Sequence, residues 1–90
     1  MSTSKKHQDF VDAATIRNKE ITDVPGVGPT YANRFQERGI TKADQMLGQL
    51  LVVQKDEQKF ANWTKETAGM RPGHSKAAYN SLNSWANQNM

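Results

Sequence analysis

Apolar residues recur along the chain at helical spacing, in blocks separated by proline and glycine, and no stretch alternates as a strand would. The first block runs through Phe10, Val11 and Ala14 behind Ser4, whose hydroxyl suits an N-cap. Thr15 to Glu20 is polar and reads as a connector. Ile21 to Val24 makes a short helical turn ending at Pro25, and Pro29 fits the first position of the next helix, on which Tyr31 and Phe35 share a face. Gly39 stops that helix; Thr41 caps the following one, with Asp44 in the box position. Asp56 caps a further helix that turns Phe60 and Trp63 inward and ends at Ala68-Gly69. The last helix follows Pro72-Gly73, with Ala78, Leu82, Trp85 and Ala86 on one stripe and Asn, Gln, Ser and Lys on the other. Both tryptophans therefore read as core residues. The pattern predicts an all-α fold, a compact bundle of five to six short helices forming a single domain over residues 1–90.

One helix departs from the amphipathic rule. From Ala43 to Val53, the residues Met46, Leu47, Leu50, Leu51, Val52 and Val53 cover nearly the whole circumference. A helix apolar on all sides is buried on all sides, either as the central core helix of a monomer or against a second copy in a homodimer. Gly48 costs roughly 1 kcal/mol relative to alanine within a helix, which suits close approach of another backbone or of a large side chain. The candidate interface is Met46, Leu47, Gly48, Leu50, Leu51 and Val52.

Composition narrows the function classes. The 90 residues hold no cysteine, which excludes a disulfide scaffold, a thiolate metal site and a cysteine nucleophile. No apolar run has the length of a signal peptide or of a bilayer span, so the chain reads as intracellular and soluble, with no membrane insertion. His7 and His74 are the only histidines; both are expected at the surface near helix starts, and no metal site or cofactor is expected. Asp56-Glu57 diverge by about 100° on a helix, and no nucleophile is paired with a base, so no catalytic group is assembled. The formal charge is only +3. Its distribution matters more: Lys5 and Lys6, Arg34, and Arg71 with Lys76 stand in three segments without an acid, whereas the remainder carries seven bases against nine acids. Such segments are either solvated ends or, if they converge, a phosphate-attracting face.

The residues Val24-Pro25-Gly26-Val27-Gly28-Pro29-Thr30 form a glycine hairpin between two short helices, spanning about residues 21–38 with its flanks. Glycine lets the backbone approach a ligand, and the N–H groups that open the next helix point at it, so the loop suits a phosphate oxygen. The expected donors are the N–H groups of Gly26, Val27, Gly28 and Thr30, supported by the Thr30 hydroxyl and Arg34, with Val27 packed inward. The bare Gly-x-Gly is otherwise only a turn. With a helix on each side, it matches the helix-hairpin-helix pattern of DNA binding without sequence preference.

Almost end to end, the chain resembles the barrier-to-autointegration factor family of small dimeric DNA-bridging proteins of animal nuclei. The resemblance rests on Ser2-Thr3-Ser4-Lys5-Lys6-His7-Gln8-Asp9-Phe10-Val11, Gly26-Val27-Gly28, Arg38-Gly39-Ile40, Lys42-Ala43 and Leu47-Gly48-Gln49-Leu50-Leu51-Val52. It continues through Lys55-Asp56-Glu57, Phe60, Trp63, Lys65, Thr67, Gly69, Leu82 and Trp85. It implies a SAM-like helical subunit that pairs as a homodimer, with one DNA site per subunit on opposite sides. The implied site joins Ser4, Lys5 and Lys6 to Gly26, Val27, Gly28 and Thr30, and to the last-helix start, where Arg71, His74 and Lys76 stand. It also implies partnership with LEM-domain proteins and lamins, residence in the nucleus at the envelope and chromatin and also in the cytoplasm, and phosphorylation of Ser2, Thr3 and Ser4 that opposes DNA. The chain departs from the family at Asp12-Ala13-Ala14-Thr15, where a Glu-Pro-Met-Gly stretch is usual, at Gly73, where lysine is expected, and in having no cysteine. These departures mark a divergent or engineered member.

Two functions follow: non-specific double-stranded DNA binding and bridging by a homodimer, or a dimeric helical adaptor for LEM-domain proteins or lamins with weak or lost DNA affinity. Gly26→Glu is the substitution the motif suggests for separating them.

Overall fold

Proline, glycine and a few polar side chains set the element boundaries. The computed structural model describes residues 5–12 and 16–90, in which five α-helices and one 3-10 turn succeed one another: α1 Lys5–Asp12, the 3-10 turn Ile21–Asp23, α2 Pro29–Glu37, α3 Ala43–Val52, α4 Glu57–Ala68 and α5 Pro72–Asn89. No sheet forms among the described residues; Glu20 and Lys42 make an isolated antiparallel bridge. The expected cap at Ser4, the continuation of α1 to Ala14 and the phosphate acceptors Ser2 and Thr3 lie outside the described residues.

Pro29 opens α2 as anticipated, and Asp56 Oδ1 caps α4 by accepting the Lys59 N–H at 2.9 Å. The start of α3 differs from expectation. Lys42, not Thr41, is the N-cap, and Gln45, not Asp44, makes the box: its Oε1 accepts the N–H groups of Thr41 and Lys42 at 2.7 and 2.9 Å. With the helix beginning at Ala43, Asp44 falls one position early, and the longer glutamine side chain reaches back. Glu20 meets Lys42 Nζ at 2.7 Å, and this hydrogen bond holds the lysine ammonium above its ordinary range. The last helix begins at Pro72 with Arg71 as N-cap, so Gly73 lies within its first turn.

α5 is the organising helix, packed against α1, α3 and α4. Its stripe of Ala78, Leu82, Trp85 and Ala86 enters a core shared with Phe10, Phe35, Met46, Leu50 and Phe60. Trp63, half-buried at the rim, lies 5.6 Å from the Phe35 ring and 5.8 Å from that of Phe60. The connector is less polar in space than in sequence, because Ile16 is buried in the same core. Ser75 and Ser81, assigned by pattern to the solvent face, are also buried. Small hydroxyls let neighbouring helices approach closely and find partners there: Ser75 pairs with Thr64 at 2.8 Å, and Ser81 with the half-buried His7 of α1. His7 is therefore a docking residue between helices and not the surface histidine expected. Between α3 and α4, Gln54 and Lys55 both adopt positive φ, 58° and 62°. Tyr79 of α5 steadies this turn by donating its hydroxyl to the Lys55 carbonyl at 2.6 Å.

The all-round apolar helix resolves into two faces. Met46 and Leu50 have no exposed surface and Leu47 is buried, so these three belong to the core of the subunit itself. Val52 is 73% exposed and Leu51 37%, beside the exposed Gly48.

Candidate nucleic-acid interface

The hairpin is built from both sides. Val24 and Val27 are buried beneath it, and the Val27 N–H donates to the Val24 carbonyl at 3.0 Å, closing the turn. That bond removes Val27 from the expected donors. The N–H groups of Gly26, Gly28 and Thr30 enter no backbone hydrogen bond among the described residues. Those of Gly28 and Thr30 flank the first position of α2, where the helix dipole adds positive potential.

Gly26 has φ +89° and abuts the start of α5: a Cβ there would collide with the His74 carbonyl oxygen. Side chains reinforce this junction. The Tyr31 hydroxyl lies 3.0 Å from His74 Nδ1 and accepts the Arg71 N–H at 3.3 Å, while the two rings stand edge to face with centroids 5.4 Å apart. Arg34 Nη1 donates to the Ala68 carbonyl at 3.0 Å, tying α2 to the end of α4 beside Gly69. A shallow cleft results, lined by Gly26, Gly28, Pro29, Thr30, Tyr31, Arg34, Gly69, Arg71 and His74. No carboxylate lines it. Tyr31 was not among the candidate residues; its partners lie 40 and 43 positions away, beyond the reach of any local pattern.

Two other candidate groups lie apart from this cleft. Lys76 lines a groove between α4 and α5, with Glu57 and Lys65. Lys5 and Lys6 share a depression with Phe10, Lys19, Asp9 and Asp23, alongside the 3-10 turn that leads into the hairpin. The first segment is acid-free in sequence but not in space, and Lys19 adds a cation that segment counting placed elsewhere. Among the described residues, no group of three His, Cys, Asp or Glu could hold a metal ion. No described helix is long and apolar enough to cross a membrane.

A glycine hairpin opening a helix against the start of another, inside an all-helical fold, defines a small helix-hairpin-helix protein. The family model described as Barrier to autointegration factor matches residues 1–89, and the chain belongs to that family. It is similar to Barrier-to-autointegration factor 1 of Caenorhabditis elegans, 47% identical over 90 residues that cover 100% of both chains. It is also similar to Barrier-to-autointegration factor of Mus musculus, 40% identical over 85 residues, and of Homo sapiens, 39% over 85, with 94% of each chain covered in both comparisons. The family is not one of enzymes, and neither is this chain.

Proposed function

We propose that this protein binds double-stranded DNA without sequence preference and, as a homodimer of single-domain subunits, bridges two duplexes. The observation that carries the reading is the cleft: backbone N–H groups of Gly26, Gly28 and Thr30 are left out of the backbone network beside Arg34, Arg71 and His74, with no carboxylate in the lining. Such a surface takes phosphate oxygens and reads no base edge. Lys5, Lys6 and Lys19 extend the positive surface along the entry to the hairpin, and Lys76 adds a cation on the neighbouring face of α5. The exposed Leu51 and Val52 flanking Gly48 supply an apolar patch for pairing. Work at chromatin and the nuclear envelope, with a cytoplasmic pool and with LEM-domain proteins and lamins as partners, accompanies this reading. So does modification of Ser2, Thr3 or Ser4, because each phosphate would add about −1.5 to −2 charges next to Lys5 and Lys6.

Gly28→Glu is the discriminating variant. A Cβ at Gly28 meets nothing within 4 Å, so the fold tolerates it, yet the carboxylate stands among the phosphate donors. DNA binding should be lost while helicity and self-association persist. In the unmodified protein, affinity should fall with salt at about −0.9 per phosphate neutralised on a log–log plot; a flat response overturns the reading. Light scattering with and without a short duplex should report a dimer and then a two-duplex complex. Gly48→Glu, likewise open to solvent within the subunit, should yield monomer. A dimer that retains no DNA at low salt is the adaptor instead.

A further inference from the structure

His74 occupies the third position of α5, and its imidazole has two different surroundings. Nδ1 meets the Tyr31 hydroxyl at 3.0 Å, and that hydroxyl also accepts the Arg71 N–H at 3.3 Å. A phenol has one proton to give. Where Tyr31 donates that proton to Nδ1 of the neutral ring, the ring proton resides on Nε2. Nε2 makes no hydrogen bond to any described residue, and the ring lines the open cleft. The charged and titratable groups that line the cleft with the imidazole are Tyr31 and Arg34 from α2 and Arg71 at the N-cap of α5, beside the backbone of Gly26 and Gly69. None is a carboxylate.

We propose that Tyr31 is a positioning residue that fixes the Nε2–H form of His74, so that the neutral ring donates from Nε2 to a DNA phosphate seated in the cleft. This rests on the DNA-binding reading above and adds to it a residue and a proton. Protonation puts a second proton on Nδ1; the phenol then accepts from Nδ1, and the Nε2–H bond to phosphate becomes charge-assisted. That charged bond exists only in the complex, so the complex binds protons more strongly than the free protein and affinity rises as pH falls.

The test is fluorescence anisotropy of the full chain on a random-sequence duplex at fixed ionic strength, at about pH 5.5 and about pH 7.5, two values above the ordinary carboxylate range. The wild type should bind roughly three- to tenfold tighter at the lower pH. His74→Gln keeps an N–H donor but cannot titrate, and its affinity should be level across the range, whereas His7→Gln should leave the profile in place. Tyr31→Phe keeps the ring contact and loses the hydroxyl. It should weaken binding severalfold at the higher pH and less at the lower, because a protonated ring no longer depends on its tautomer, so the profile steepens. Equal weakening at both pH values would reduce Tyr31 to a brace, and a wild-type profile in His74→Gln would move the titration to another group. DNA binding with no pH response overturns this inference alone; no DNA retention at low salt overturns the DNA-binding reading with it.

Discussion

Gly26 is constrained twice over, by a φ of +89° and by the His74 carbonyl oxygen that occupies the place of a Cβ. Gly26→Glu would therefore mix the repulsion of a phosphate with displacement of α5 from the hairpin, which is why Gly28 gives the cleaner experiment. Gly69 is the second position where glycine answers to the backbone: it ends α4 at φ +67°, and a Cβ would stand 3.1 Å from Arg34 Nη1. Left-handed backbone costs a non-glycine residue about 1–2 kcal/mol. Gly69→Ala should lower unfolding free energy by that amount in urea titration, and DNA affinity should also fall, because Arg34 is pushed from its seat on the Ala68 carbonyl. At this scale the sequence discloses local chemistry well: Val27 between its glycines points inward, as its neighbours dictate. It does not disclose the spending of the Val27 N–H on Val24, nor the Tyr31–His74 pair, whose members meet only because two helices cross.

Whole elements are legible where one residue decides their boundary. Asp56 is an N-cap in sequence and in structure, and Asp56→Ala should cost about 1 kcal/mol, read as a lowered thermal midpoint with DNA affinity retained. Boundaries settled by competition are not legible. Thr41 and Asp44 carry the ordinary signature of a helix start, yet Gln45 takes both N–H groups and the helix begins at Ala43. The turn between α3 and α4 carries no glycine at all; Gln54 and Lys55 hold positive φ because α5 grips the turn through Tyr79 and through Asn87, which accepts from Lys55 Nζ at 3.1 Å. Hydrophobic periodicity likewise missed Ser75 and Ser81, since it counts a hydroxyl as polar whether or not a partner awaits it in the core.

For the molecule as a whole, the charge pattern and the apolar circumference of α3 were each half-legible. Two acid-free segments do meet, at the hairpin and the start of α5, but the first lies beside Asp9 and Asp23 and shares its surface with Lys19. Met46 and Leu50 complete the subunit's own core, leaving Leu51 and Val52 to face outward. Nothing linear distinguishes these two fates, because both kinds of residue are apolar and helical. The spare N–H groups of the hairpin also make occupancy countable. Amides without a bonded acceptor exchange hydrogen for deuterium rapidly, so Gly28 and Thr30 should exchange fast in the free protein while Val27, bonded to Val24, lags. A dimer holding one duplex should slow about half of the Gly28 and Thr30 amides, and a dimer holding two should slow all of them. Protected fraction, followed against added duplex, thus separates a carrier of one DNA molecule from a clasp between two.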